Sequence, residues 1–429
     1  KYRHQFMATF FSIIGEILSS VWTVFTWVWW IVLPIWLFNV LFDIYMKYIR
    51  VRFFKGVKYV LFELRVPKDL IKTPKSMENI FSTFHATRMS VSEFKKKYIK
   101  GEAQLWLSLE IVGNGGGISF YIRTPEQFRN LVEAQIYAQY PSAELSEVPD
   151  YVDFVPKDIP NKYFDCWGAD FGLAKDAAYP IKTYEYFEEV KEEKRIDPIS
   201  SIVETMSKLK GDQKIWIQIL IKYTDDSWKK TADEAVNKLA GKKGPKKEMG
   251  FGEYVGQFAV NLMKAPVVVP EWDFGGDNKD EGTSKISHLT KGEKDIIEAI
   301  QNKTAKLGFE SFLRFLYIDK RETFNRQNIN SIMGALQQFS TQNLNSFKIY
   351  KPSSCSAEHP FKAQKEFLKK RMLYTAYRLR MFNPGIKAVL NTEELATIYH
   401  FPIMSVEAPF LRRIEAKKGE PPINLPISD

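Results

Sequence analysis

One stretch limits what this chain can become. From Val21 to Leu41 it reads VWTVFTWVWWIVLPIWLFNVL, about 21 residues without a charged side chain. A helix of that length, rising 1.5 Å per residue, crosses a hydrocarbon core of about 30 Å. Trp22, Trp27, Trp29, Trp30 and Trp36 load the stretch with indole, which favours the headgroup boundary, and Pro34 predicts a kink. Lys47, Arg50, Arg52, Lys55 and Lys58 follow it against Asp43 alone, so the positive-inside rule assigns the bulk of the chain to the cytoplasm. Lys1 and Arg3 on the other flank pull weakly the other way. Upstream, MATFFSIIGEILSS reads either as an interfacial helix or as an extension of the span. A signal peptide fits poorly, because the apolar run is too long and has no small-residue cleavage site; a buried core helix is the bland alternative. The reading adopted is a membrane anchor over residues 1–50.

The rest of the chain can build cores. With 429 residues and 45% hydrophobic side chains it has room for roughly two or three domains, and it is not a disordered protein. Cys166 and Cys355 lie far apart and in no CxxC pair, which argues against a disulfide framework and a zinc site and for a reducing compartment. A net charge of +10 permits contact with anionic lipid or nucleic acid without requiring either. The first residue is Lys1, so the expectation is a chain that begins inside a longer reading frame.

The order of periodicities points to an α+β fold. VKYVLFELRV reads as a strand. TPKSMENIFSTFH follows as a helix with Thr73 capping and Met77, Ile80, Phe81 and Phe84 on one face. Alternating Leu105, Leu107, Leu109 and Ile111, a turn at Gly113 to Gly117, and alternating Ile118, Phe120 and Ile122 make a hairpin. A helix capped by Thr124 and a strand at AELSEV complete a β-α-β-β-α-β series, the split βαβ or ferredoxin-like order. The same grammar recurs from DPISSIVETMSKLKGDQKIWIQILIKY to SFKIY. The expectation is an N-terminal transmembrane helix and two tandem ferredoxin-like units. They cover residues 51–160 and 161–350, the second with an insertion at about 225–290, and a basic helix and connector fill 351–429. Within the insertion, GKKGPKKEMG reads as a solvated linker and FGEYVGQFAVNLMKAPVVV as an amphipathic helix for a membrane or a neighbouring subunit.

Motifs for chemistry are missing. No GxxxxGK[ST] loop occurs, and GNGGGISF lies between two strands, without the helix N-terminus that binds phosphate. There is no HExxH or GxSxG, the five histidines lack metal-ligand spacing, and EYFEEVKEEKR reads as a solvated charged segment. The chain therefore carries no catalytic, cofactor-binding or metal residues that the sequence identifies. Phe361 to Phe382 mixes cations with apolar residues. Packing is its plain role, and Lys369, Lys370, Arg371 and Arg378 are its candidates for contact with DNA or anionic lipid. RNA-recognition modules need a basic-Gly-aromatic strand motif that no strand here carries.

Near the end, VLNTEELATIYHFP followed by KKGEPPINLP resembles the segment that precedes the motor in bacterial type IV secretion and conjugation ATPases of the TraG/HerA-like kind. There a TEELA-x-x-[YFW]-H-[FL]-P string leads into the nucleotide-binding domain. LFELRVPKDLIKTPKSMENIFSTFH, the SLEIVGNGGGISFYIRTPEQF region and EEKRIDPISSIVETMSKLKGDQKIWIQILI resemble the membrane-linked half of the same proteins. The resemblance implies a bacterial inner-membrane protein facing the cytoplasm, a hexamer, contacts with other secretion-channel proteins, and ATP and Mg bound in a motor domain expected after Asp429. It makes Thr392, Glu393, Glu394, Leu395, His400 and Pro402 a connector motif, with Asn391 or Thr392 capping a short helix and His400 in a structural role. The expected function is membrane tethering and assembly of a secretion or DNA-transfer ATPase. The alternatives are a motorless inner-membrane scaffold working by protein contacts, and a membrane-linked nucleic-acid binder.

Overall fold

The computed structural model of the chain describes residues 2–67, 72–90, 93–187, 197–240 and 290–402. It divides into two units, residues 1–58 with 88–104, and residues 59–87 with 105 onward. GKKGPKKEMG, FGEYVGQFAVNLMKAPVVV, most of EYFEEVKEEKR and the KKGEPPINLP tail lie outside the described residues.

The first unit is built on α1 (Tyr2–Gly56), a single helix of 55 residues that continues through Pro34. Trp22, Trp27, Trp29, Trp30 and Trp36 are all exposed, and Val32–Gly56 is long and apolar enough to cross a membrane. Among the described α1 side chains only Met46 and Ile49 are buried. Both sit near a return segment whose five-residue π-helical turn, Lys95–Ile99, lies beside this part of α1.

The second unit is an α+β domain on one antiparallel sheet. Among the described residues its strands are β1 (Tyr59–Arg65), β2 (Trp106–Asn114), β3 (Gly117–Pro125), β4 (Glu144–Glu147), β5 (Phe164–Leu173), β6 (Lys214–Tyr223), β7 (Gly308–Lys320), β8 (Phe347–Ile349) and β9 (Val389–Asn391). The order is β4-β1-β3-β2-β6-β7-β5-β8, with β9 paired along the start of β7. The helices are α2 (Lys75–Phe84), α3 (Arg129–Gln139), α4 (Ser200–Ser207), α5 (Ser227–Leu239), α6 (Lys291–Ala305), α7 (Arg326–Gln337), α8 (Lys362–Arg378) and α9 (Thr392–Ile398). In chain order β1 to β4, with α2 after the first strand and α3 after the third, occupy the sheet as 4-1-3-2. β5 to β8, with α4 and α7 at the equivalent places, occupy it as 8-5-7-6, the same arrangement. The second strands of the two series meet: β2 pairs with β6 from Trp106↔Lys222 to Asn114↔Lys214.

The period-two alternation of the strands decides what each face carries. Phe62, Leu109, Ile111, Phe120, Ile217, Ile219, Phe315 and Tyr317 face one way and pack with Phe81, Ile136, Val203, Met206, Ile332 and Leu336 of α2, α3, α4 and α7. Leu61, Val112, Tyr121, Trp216, Leu316 and Ile318 face the other way and pack with Leu373, Tyr374 and Tyr377 of α8. At the β2–β3 turn, Gly115 and Gly116 have φ of 55° and 93°, the pair of positive values a tight hairpin demands. Thr124 departs from its expected capping role: β3 runs on through Pro125 and α3 begins at Arg129, so Thr124 is a buried strand residue.

Candidate functional site

Four central strands each carry one charged or amide side chain in a largely apolar run: Glu110 in LSLEIV, Gln218 in IWIQILI, Arg314 in SFLRFLYI and Asp170 in GADFGL. The registers place them in one line, Glu110↔Gln218, Gln218↔Arg314 and Arg314↔Asp170. Tyr121 and Glu63 extend the line across β3 and β1. Every member from Glu63 to Asp170 is buried, on the face that α8 covers. Unpaired charge there would cost several kcal/mol, and each charge has a counter-charge: Arg314 pairs with Asp170 inside the row, while Arg380 meets Glu110 and Arg65 meets Glu63 from outside it.

Two clamps close on the row from the end of α8. Arg380 forms paired hydrogen bonds to both Glu110 oxygens, at 2.9 and 3.1 Å, and also holds both oxygens of Asp150. Its backbone lies in the left-handed region, φ 48°. Arg380 N–H donates to the Tyr377 carbonyl and Met381 N–H to the Ala376 carbonyl, the two bonds of a Schellman ending, in which glycine is the usual occupant. At the second clamp, Arg314 donates to Asp170 at 2.6 and 3.3 Å, to Gln218, and to the Ala376 and Met381 carbonyls. Asn383 donates to Asp170 at 2.8 Å. Tyr151 donates to Glu110 at 2.7 Å and shares a 2.8 Å hydrogen bond with Tyr377.

The electrostatics follow from these contacts. Burial pushes the Glu110 carboxyl up, but the Arg380 guanidinium and the hydroxyls of Ser108 and Tyr151 outweigh it and hold the carboxyl below its ordinary value. Burial and the Glu110 charge push the phenols of Tyr151 and Tyr377 far up, so both stay neutral donors. A cavity of about 380 Å³ opens beside the second clamp, floored by Asp170, Arg314 and Asn383 and walled by Met372, Met381 and Phe382. The polar groups on its floor are already engaged with one another. The arrangement joins α8 and its C-terminal turn to the sheet and specifies their register.

The connector motif is a second buried cluster. Thr392, Glu393, Glu394, Leu395, His400 and Pro402 are all buried. Asn391 caps α9, accepting from Glu394 N–H at 2.8 Å, while the Glu394 carboxylate accepts from Asn391 N–H at 2.9 Å. Glu394 also pairs with Lys303 of α6 at 3.0 Å and accepts from Ile181 N–H. Burial raises the Glu394 carboxyl and lowers the Lys303 ammonium, each opposed by the partner's charge. The His400 ring reaches the Ala396 carbonyl at 2.8 Å and Asp197 at 3.1 Å. Leu395, Ile398 and Phe401 sit in the main core, so the motif is part of the sheet domain.

The remaining nominated residues are spread out. Lys47, Arg50, Arg52 and Lys55 lie on the last turns of α1 and are exposed. On α8, Lys370 pairs with Asp165 at 2.8 Å, Arg378 with Asp153 at 3.0 Å, and Lys369 donates to the Ser356 carbonyl, while Arg371 is exposed. Among the described residues no cluster of His, Cys, Asp and Glu has a geometry for a metal ion. Sequence reasoning counted Arg380 only among the cations of the basic helix and passed over Arg314, Glu110 and Asp170. The signal that could have found the last three is the lone polar residue in mid-strand.

No curated protein matches the chain. The chain belongs to the family DUF8128, a domain of unknown function, which matches residues 63–411 and so takes in the polar row, both clamps and the connector motif.

Proposed function

We propose that the chain is the membrane-tethering and assembly region of a secretion or DNA-transfer machine of the type IV secretion and conjugation class, set on the cytoplasmic face of a bacterial inner membrane. The observation that carries the reading is α1. Its indoles are exposed along a helix with a charge-free stretch long enough to span a bilayer, and Val57 and Lys58 are all that separate it from the first strand of the sheet domain. A long apolar helix surface of this kind is unfavourable in water and favourable in lipid.

The sheet domain is read as two ferredoxin-like units joined through their second strands, the later one carrying the insertion at about 225–290. The repeated strand order and equivalent helix positions support this. In this reading the partners are the bilayer, further copies of the chain as a hexamer, and channel proteins, with DNA contact secondary because Lys370 and Arg378 are held in internal ion pairs. ATP and Mg belong to a motor domain, not to these residues.

Membrane fractionation tests the tether. The full chain is expected to stay with membranes through alkaline carbonate extraction, and release into the soluble fraction would remove the reading. Light scattering in detergent then tests assembly: a hexamer supports the motor-associated region, and a monomer favours the motorless scaffold.

A further inference from the structure

The segment that returns to α1 has a chemistry of its own. Tyr98 packs its ring on Phe42, with centroids 6.1 Å apart, and on Phe94 at 4.8 Å, and its carbonyl accepts from the Tyr45 hydroxyl at 3.1 Å. Gly101, with φ of 70°, lies so close to α1 that a Cβ there would meet the Ile49 carbonyl at 2.6 Å. The segment is thus fixed against α1 between Phe42 and Arg50. Outward it presents Phe94, 71% exposed, and Ile99, 57% exposed, among the exposed Lys95, Lys97 and Lys100. Lys96 is held by Glu93 at 2.8 Å, and Lys100 lies 3.7 Å from Glu102 while its side chain stays exposed. Bulky apolar groups interleaved with lysines on a short, pinned turn match the boundary of an anionic bilayer, where rings enter the acyl edge and ammonium groups meet phosphates.

Its place along α1 carries the argument further. Val21 to Leu41, charge-free and about 31 Å long as a helix, ends where the segment begins to touch α1 at Phe42. From this geometry we infer that residues 94–100 form a collar that sits in the headgroup layer of an anionic membrane and sets the depth of α1, with Leu41 at the hydrocarbon edge. Lys95, Lys97 and Lys100 contact lipid phosphate, and Phe94 and Ile99 enter the interface. The inference rests on the membrane reading of α1 and adds to it a lipid class and a depth.

The test uses the full chain in vesicles of neutral phosphatidylcholine and in vesicles containing anionic phosphatidylglycerol. Phe94→Cys carries an environment-sensitive fluorophore, which Cys166 and Cys355 will not take because both are buried. The expected result is flotation with both vesicles, and a blue-shifted probe, quenched by shallow spin-labelled lipid, only in the anionic ones. Substituting K95Q, K97Q and K100Q together is expected to move the probe's lipid–water equilibrium toward water by on the order of a hundredfold at low salt. Flotation with a water-like probe in anionic vesicles overturns the collar and leaves the tether intact. An equal shift in both vesicles overturns its recognition of anionic lipid. Failure to float with either removes the tether itself.

Discussion

Arg380 is the residue on which most of the second face depends. It pairs with two carboxylates while its backbone sits in a conformation that costs a non-glycine residue roughly 1–2 kcal/mol. Arg380→Ala is expected to destabilise the sheet domain by about 3–5 kcal/mol, because Glu110 is left buried without its cation. Arg380→Gly should be less damaging by about 1 kcal/mol, since it loses the same ion pair but relieves the backbone. Urea unfolding of both variants checks the order, and equal losses would mean that the backbone is not strained. Glu110 predicts a pH dependence. Its carboxyl is held below the ordinary 4.5, so the unfolded chain takes up the proton first as pH falls. Its stabilisation is present above 4.5 and is lost as pH drops through the lower folded value. Wild-type stability should therefore fall more steeply with acid than that of Glu110→Gln, and parallel curves would contradict the assignment.

At the level of elements, α8 lies against β5 at a point where no side chain fits. A Cβ on Gly168 would strike the Phe315 carbonyl of β7 and come within 2.8 Å of Leu373 Cδ2. Gly168→Ala is expected to cost about 1–3 kcal/mol, read as a lower urea midpoint with an unchanged slope. Much of this level was legible beforehand. The strands with clean alternation, such as the one holding Leu107, Leu109 and Ile111, announced themselves, and so did the face of α2, because burial on one side imposes a period. β5 was not legible. Its Cys166-Trp167-Gly168-Ala169-Asp170 run breaks the alternation, with a glycine chosen for close approach and an aspartate chosen for Arg314. The clamps were hidden for a related reason. Glu110 and Arg380 are 270 residues apart, and nothing local to either marks the other as its partner.

Across the whole sheet domain, the seam between β2 and β6 is paired along its full length and runs through the polar row at Glu110↔Gln218. The two series of strands should then unfold as one body. Native-state hydrogen exchange is expected to give the amides of Leu109 to Ile111 and of Leu313 to Phe315 the same, highest protection. Ile217→Ala should lower both sets together, and loss confined to β5, β6 and β7 would show two independent units. The seam also bears on load. A pull delivered through α1 enters the sheet at Tyr59, at the start of a strand paired on both flanks, with β3 from Tyr59 to Leu64 and with β4 from Phe62 to Arg65. Tension along that strand has to shear two hydrogen-bonded ladders at once instead of peeling an edge bond by bond. Such a joint makes the sheet domain mechanically stiff where α1 runs into it, so a load applied through α1 would spread into β3 and β4 before β1 gives way.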